Sequence, residues 1–194
     1  MKGASRRPLC AATFAFLDTE TTGLAPARGA RVCEIAVMAV CGGRVLGSFA
    51  SLLNPGCPID PGAQRIHGIT DSMVAGSPSF AEVAARIEGM LAGTVVVCHN
   101  APFDLAFLEA EFLRASRALP ALEVVDTLRL ARRHFGFASN RLGAIADAYG
   151  IEPEGAHRAG ADVSTLWRVF ERLLSELELR KGVCTVESLL RLCN

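Results

Sequence analysis

Three short segments of the sequence place acidic side chains where they could act together on one ligand. FLDTETTGL carries Asp18 and Glu20, HNAPFD carries Asp104, and HRAGAD carries His157 and Asp162. Asp18 and Glu20 alternate with Thr19, so a strand that continued this far would direct both carboxylates to one face. Neighbouring carboxylates raise each other's pKa, and a hard divalent cation such as magnesium or manganese removes their repulsion. The spacing therefore indicates a metal site.

Each segment also has a simpler interpretation. Asp18 and Glu20 fit an acidic surface turn. Asp104 fits the N-cap of a helix, Asp162 fits a helix start, where negative charge is favourable, and His157 fits a structural histidine. Together, however, four carboxylates and one histidine match the needs of two-metal phosphodiester hydrolysis, in which ions about 4 Å apart hold the attacking and leaving oxygens. A histidine with the ordinary pKa of about 6.5 can accept the proton of the attacking water.

The elements that must position these residues follow from the apolar patterns. A three-stranded meander is followed by alternating helices and strands, which predicts a mixed α/β sheet with helices on both sides and a ligand site at the C-terminal ends of its strands. Turns are predicted at Asn54-Pro55-Gly56 and Asp60-Pro61-Gly62. The predicted strands are Thr13–Leu17, Val32–Val40, Arg44–Leu53, Thr94–Cys98 and Glu123–Val125. The predicted helices are Ser79–Met90, Asp104–Ala115, a segment ending at His134, Arg141–Tyr149 and Ala159–Leu179.

Length and composition are those of one globular domain. The chain has 194 residues, of which 51% are hydrophobic and 21% charged, and its formal net charge is zero, so a disordered chain is excluded. Six arginines lie between Phe112 and Ala146 against two acids. This excess fits solvated helix faces, and it equally fits a patch beside an anionic ligand.

The seven cysteines contain no C-x-x-C pair, which favours a reducing cytoplasm and no structural zinc. The apolar run Leu9–Leu17 follows basic residues in the manner of a signal peptide. Asp18 ends that run at once, so we assign it to the first strand, and no other run is long enough to cross a bilayer.

The three segments, in this order and spacing, resemble the motifs of the DEDD-type 3′→5′ exonucleases. The histidine five residues before the last aspartate is typical of the DEDDh subclass. IHGIT (Ile66–Thr70) and DTLRLAR (Asp126–Arg132) add a resemblance to the proofreading epsilon subunits of bacterial DNA polymerase III and their stand-alone relatives. The resemblance extends from about Thr13 to about Leu174. It implies a ribonuclease H-like fold, a mixed five-stranded sheet flanked by helices.

The resemblance also implies roles for individual residues. Asp18, Glu20, Asp104 and Asp162 would hold two divalent cations, Mg²⁺ or Mn²⁺, and His157 would be the general base. All five are present, so we expect a catalytically competent enzyme.

A second group of residues matches positions that meet the terminal nucleotide in the family. Thr21 and Gly23 would hold the 3′ end, Leu24 would wedge against the last base, and Ile66 with His67 would form the other wall. For His67, packing under its own loop is the alternative.

We therefore expect a 3′→5′ exonuclease that acts on single-stranded or frayed DNA ends and releases nucleoside 5′-monophosphates. DTETTG and IHGIT favour DNA over the alternative, an exoribonuclease acting on RNA or short oligoribonucleotides; a non-catalytic nucleic-acid-binding module is the third interpretation. Segments like the polymerase-binding and clamp-binding extensions of proofreading subunits are not evident, which favours a stand-alone enzyme. We expect a cytoplasmic monomer or homodimer with no membrane partner.

The domain organisation expected from these patterns has three parts. Residues 1–12 form a flexible arm, residues 13–180 the exonuclease domain, and residues 181–194 a tail with room for a short helix.

Overall fold

The computed structural model describes residues 7–152 and 158–193. In this part of the chain five strands form one mixed sheet in the order β3-β2-β1-β4-β5. The strands are β1 Thr13–Thr21, β2 Val32–Cys41, β3 Arg44–Leu52, β4 Val95–Cys98 and β5 Glu123–Asp126. The predicted α/β class, a mixed five-stranded sheet flanked by helices as in the ribonuclease H-like fold, is confirmed.

The sheet topology brings three strand ends to one edge. β1, β2 and β3 are antiparallel, whereas β4 and β5 run parallel to β1. The C-terminal ends of β1, β4 and β5 therefore meet at the same edge, where α/β sheets bind their ligands.

Helices cover both faces of this sheet. They are α1 Pro61–His67, α2 Asp71–Val74, α3 Phe80–Leu91, α4 Ala101–Arg114, α5 Thr127–His134, α6 Leu142–Ala148, α7 Ala159–Lys181 and α8 Val186–Cys193. The side chains of β1 alternate between two cores. Phe14 and Phe16 pack with Phe170 of α7, whereas Ala15 and Leu17 belong to the core formed with α3 and α4.

Element boundaries differ from the prediction at two places that matter for the site. β1 was expected to end at Leu17 but continues to Thr21, because β2 pairs with it as far as Glu20↔Glu34 and, past a bulge, Thr21↔Val32. α4 begins at Ala101 rather than at Asp104, because Asn100 takes a left-handed conformation (φ 79°) that turns the chain into the helix. At the predicted turn of Asp60-Pro61-Gly62, Asp60 instead caps α1 by accepting a hydrogen bond from the Gly62 backbone.

The two ends of the described chain pack together. Residues 7–12, assigned by sequence to a flexible arm, include a short 3₁₀ turn at Leu9–Ala11, and Pro8 forms a β-bridge with Thr185. The Arg7 guanidinium contacts both carboxylate oxygens of Glu123, at 2.6 and 2.7 Å. The tail does contain a short helix, α8, and its inner side packs on this domain.

Among the described residues, the length and apolar character needed to traverse a bilayer occur in none of the helices.

Candidate active site

Three of the predicted acids meet at the C-terminal end of β1. Asp18, Glu20 and Asp162 each offer a carboxylate oxygen, and these oxygens lie within 4.8 Å of one another. Asp18 and Glu20 extend the face of β1 that carries Phe14 and Phe16, which is the face covered by α7. Asp162 lies in the first turn of α7, so the helix delivers it to the two strand acids.

Asp104 reaches the same strand from the other face. Thr19, whose side chain points away from Asp18 and Glu20, donates a 2.8 Å hydrogen bond from Oγ1 to Asp104 Oδ1. Asp104 is buried in the first turn of α4, and because α4 begins at Ala101 it is not the N-cap that the sequence allowed. Its carboxylate stands beside the other three acids without belonging to the group within 4.8 Å.

The site concentrates negative charge in a buried place. Burial raises the pKa of Asp18 well above its usual range, and the charges of Asp104, Asp162 and Glu20 raise it further. Burial, followed by the charges of Asp162 and Glu34, raises the pKa of Glu20 to about 7. Burial also raises the pKa of Asp104 to about 7, although the hydrogen bond from Thr19 opposes the shift. A cation at this place would favour the charged carboxylates and so oppose these shifts.

The donor chemistry fits a hard divalent cation. Only oxygen ligands are offered by Asp18, Glu20 and Asp162, which suits magnesium or manganese better than a softer metal.

An ion pair between buried Glu34 and half-exposed Arg158 holds the segment that enters α7. Arg158 donates from Nε and Nη2 to Oε1 of Glu34, at 3.1 and 2.7 Å, and the Ala159 backbone N–H donates to Glu34 Oε2 at 2.9 Å. Glu34 lies opposite Glu20 in the register of β1 and β2. The sequence analysis missed Glu34, although one charged residue inside the apolar run VCEIAVMAV was a usable signal. His157, the predicted base, precedes Arg158 and lies outside the described residues.

The acids border two cavities. The first has a volume of about 930 Å³, and Glu20 contributes to its wall. All five residues predicted to meet a nucleotide line it, namely Thr21, Gly23, Leu24, Ile66 and His67. Phe103, which sequence reasoning did not single out, lines it as well. The second cavity, about 920 Å³, includes Asp18 and Asp162 in its wall.

The first cavity combines exposed apolar side chains with fixed backbone. Leu24 is 85% exposed and Ile66 60%, so two large apolar groups face solvent at the wall of one cavity. His67 is buried, its Nδ1 accepts from the Ile69 N–H at 3.0 Å, and its Nε2 lies 3.2 Å from the Thr21 carbonyl oxygen. His67 therefore shapes the wall and, through its two ring nitrogens, links the Thr21 carbonyl to the Ile69 backbone.

The arginine-rich segment does not form one patch. Arg114 and Arg117 pair with Glu111 and Glu88, respectively. Arg132 and Arg141, by contrast, are exposed and line the second cavity. Tertiary structure thus pairs two of the six arginines with acids and places two others in the wall of a cavity.

Comparison with known proteins agrees with this geometry. The Exonuclease family model (RNase_T) matches residues 15–170. The chain is 41% identical over 188 residues to a DNA polymerase III subunit epsilon-like protein of Rhodobacter capsulatus, covering 94% of this chain and 26% of that protein. It is 33% identical over 174 residues to the DNA polymerase III subunit epsilon of Treponema pallidum, covering 88% of this chain and 80% of that protein. The chain therefore spans about a quarter of the first relative's length and most of the second's.

A solved structure shares both the architecture and the extent of the chain. Exonuclease X, in complex with 5′ overhanging duplex DNA, superposes with a TM-score of 0.71 at 28% identity and covers 93% of this chain and 99% of that one. The segment matched by the family model, residues 15–170, contains the three acidic motifs and ends within α7. It therefore includes every residue of the site described above. On the evidence of fold, site and sequence, the chain belongs to the Exonuclease (RNase_T) family.

Proposed function

We propose that the protein is a metal-dependent 3′→5′ exonuclease that removes nucleoside 5′-monophosphates from the 3′ end of DNA. The observation that carries this proposal is the meeting of Asp18, Glu20 and Asp162 within 4.8 Å, with Asp104 beside them, at the border of a nucleotide-sized cavity. Family membership supports the hydrolytic chemistry, and the resemblance to DEDDh enzymes supports the 3′→5′ direction.

We assign the four acids to two divalent cations, magnesium or manganese. Such ions, when bound, stabilise charge on the phosphoryl oxygens and lower the pKa of an attacking water. Asp18, Glu20 and Asp162, whose carboxylate oxygens lie within 4.8 Å of one another, would share one ion, and Asp104 would serve the other.

His157 is our proposed general base. The resemblance to DEDDh enzymes supports this assignment, and in the sequence His157 directly precedes Arg158, whose guanidinium pairs with Glu34. Neutral imidazole accepts a proton from water near neutral pH.

The first cavity is the proposed seat of the terminal nucleotide. Leu24 and Ile66 offer exposed apolar surface against which a base can pack. The backbone of Thr21 is held by His67, and the Gly23 carbonyl oxygen accepts a hydrogen bond from Thr21 Oγ1. The cavity is of the size usual for small-ligand sites, roughly 300–1,000 Å³.

We favour DNA as the substrate. The resemblance of DTETTG and IHGIT to the epsilon group supports it, as does a structural relative bound to duplex DNA. RNA is the alternative outcome of the test below.

The test uses 5′-labelled single-stranded DNA and RNA oligonucleotides of one sequence, each with magnesium, manganese or chelator. We expect a metal-dependent ladder that shortens from the 3′ end and forms faster on DNA. A faster ladder on RNA would retain the chemistry and replace the substrate. If the wild type, like Asp18→Ala, made no ladder on either polymer, the catalytic proposal would be rejected in favour of a binding module.

A further inference from the structure

The second cavity lies beside the acids and has arginine side chains in its wall. The proposed terminal nucleotide, which occupies the first cavity, leaves the second cavity empty. Its wall begins at Asp18 and Asp162 and continues through His99, residues 138–144 and α5. The first cavity takes its wall from Glu20 and residues 21–30 instead, and the two linings have no residue in common. A phosphodiester held at the acids would therefore adjoin both cavities.

Two guanidinium groups in this wall, those of Arg132 and Arg141, could bind phosphate groups. In the described part of the chain no acidic side chain forms an ion pair with Arg132 or Arg141, whereas Arg114 and Arg117 are each held by a glutamate. Both cavity arginines are exposed, so they retain all their donors for a ligand. Besides the two metal acids, the wall contains the carboxylate of Asp147.

The loop that presents Arg141 is held in place by a hydrogen bond between His99 and the backbone of Asn140. His99 Nε2 lies 2.9 Å from the Asn140 carbonyl oxygen, an acceptor, so this nitrogen carries the proton and donates it. His99 Nδ1 lies 2.9 Å from Thr127 Oγ1; when the ring is neutral, the single hydroxyl proton of Thr127 is shared between this nitrogen and the Cys98 carbonyl oxygen, which lies 3.2 Å from Thr127 Oγ1. Burial lowers the pKa of His99, which favours that neutral form. The end of β4, the start of α5 and the arginine loop are thus joined through one imidazole.

An unsatisfied polar atom lies in the same wall. Within the described residues the side-chain oxygen Oδ1 of Asn140 is buried and has no hydrogen-bond donor. Buried acceptors in folded proteins are normally paired, so a donor is expected here from a ligand or from a water that a ligand orders.

We propose that the second cavity binds the two nucleotides on the 5′ side of the scissile bond, with Arg132 and Arg141 contacting their phosphates. This inference rests on the proposed exonuclease function and adds a length requirement to it. A dinucleotide with a free 5′-hydroxyl has only the scissile phosphate, whereas a tetranucleotide has two more, one for each arginine. The enzyme therefore gains affinity from the third and fourth nucleotides.

The experiment compares TpT with the tetranucleotide dT4 by measuring kcat/KM for release of the first nucleotide. Two charge-assisted contacts, each on the order of tenfold, give an expected wild-type preference of about 100-fold for dT4. Arg132→Ala/Arg141→Ala should lose most of that preference. The matched control is Arg133→Ala/Arg117→Ala, which removes the same charge from α5 and from a surface pair outside the cavity, and it should keep the preference.

Salt dependence gives a second readout on dT4. Each phosphate contact of a single strand contributes about 0.7 to the slope of log affinity against log salt, so the cavity double variant should lower the slope by about 1.4. An unchanged length preference and slope in that variant would overturn the assignment of the cavity. Absence of hydrolysis of both substrates by the wild type would instead reject the exonuclease function itself, which keeps the two failures apart.

Discussion

At the scale of single residues, the site is a set of carboxylates that the fold holds together against their own repulsion. Asp18, Glu20 and Asp104 all have pKa values raised by burial. A carboxyl group whose pKa is higher in the folded than in the unfolded state lowers the free energy of unfolding as pH rises through that interval. Metal-free protein should therefore be least stable when these groups are ionised.

The corresponding prediction concerns Asp18→Asn in chelator. At pH 8 the variant lacks one repelling charge, so its melting temperature should exceed that of the wild type by about 3 °C, equivalent to about 1 kcal/mol for a domain of this size. The gap should close as pH falls from about 7, the folded-state pKa of Glu20 and Asp104, towards the unfolded value of about 4. Thermal unfolding at pH 8 and pH 5 measures this difference in melting temperature.

A variant less stable than the wild type at pH 8 would contradict the electrostatic account. In excess magnesium the order should reverse, because the ion stabilises only an intact site.

A second prediction at this scale tests the role of His157. His157→Ala should reduce the single-turnover rate by roughly 10²–10⁴-fold, the usual contribution of a general base, while DNA affinity changes little. Rapid-quench kinetics and fluorescence-anisotropy binding, with Asp18→Ala as the inactive reference, separate the two quantities. A single-turnover rate equal to that of the wild type would exclude the histidine as the base.

At the scale of elements, β1 presents site residues on both of its faces, and α4 holds the 22–31 segment in place. Glu111 of α4 is almost fully buried and accepts from Arg31 Nε and Nη2 at 2.6 and 2.9 Å. Arg114 contacts the same carboxylate and also donates to the Pro26 carbonyl oxygen. The helix that carries Asp104 thus also holds the 22–31 segment, which forms one wall of the first cavity.

Glu111→Gln should therefore disturb both stability and substrate binding. Removing one charge of a buried pair leaves the other uncompensated, and because Arg31 is a quarter exposed we expect the lower end of the usual cost, about 3 kcal/mol. KM should rise more than kcat falls, since the wall is affected and the acids are not. Glu88→Gln is the control, because its pair with Arg117 is exposed and should contribute less than about 1 kcal/mol. Urea unfolding and steady-state kinetics measure both effects. Equal changes in stability and KM in the two variants would disprove the role of Glu111 in holding the 22–31 segment.

At the scale of the whole molecule, the two ends of the described part of the chain meet beside β5. The Arg7 backbone N–H donates to Glu187 Oε2 at 3.1 Å, while its guanidinium contacts Glu123. α8 packs against β5 and α5, with Leu189 fully buried in the core beneath α7. The segment after α7 is thus part of the domain core.

Leu189→Ala should lower the free energy of unfolding by roughly 2–5 kcal/mol, the range for buried leucine truncations. Leu179→Ala is the control, because that leucine is 84% exposed and its truncation should change stability by less than about 0.5 kcal/mol. Urea denaturation compares the two. Similar urea midpoints for the two variants would show that Leu189 of α8 does not contribute to the stability of the domain core.

Although it did not predict α1 and α2, the sequence by itself determined the acids, the succession of the strands and the edge at which the site lies. These depend on local periodicity, because strand alternation places Asp18 with Glu20 and parallel strands bring their C-terminal ends together. The predicted β2–β3 hairpin and the buried β4 strand differ from the structure by only one residue at some ends, since short-range patterns define them. The boundaries that shifted, at β1 and α4, depend on strand pairing and on the left-handed Asn100, which no local apolar pattern signals.

Only the tertiary structure decided how each acid is held and which cations remain for a ligand. Thr19 binds Asp104 across 85 positions, Arg158 binds Glu34 across 124, and Arg31 binds Glu111 across 80. The same long-range packing pairs Arg117 with Glu88 and leaves Arg132 facing a cavity. Such contacts connect groups that are distant in the chain and exist only once the sheet and helices have packed, so their geometry is a property of the fold and not of any segment of the sequence.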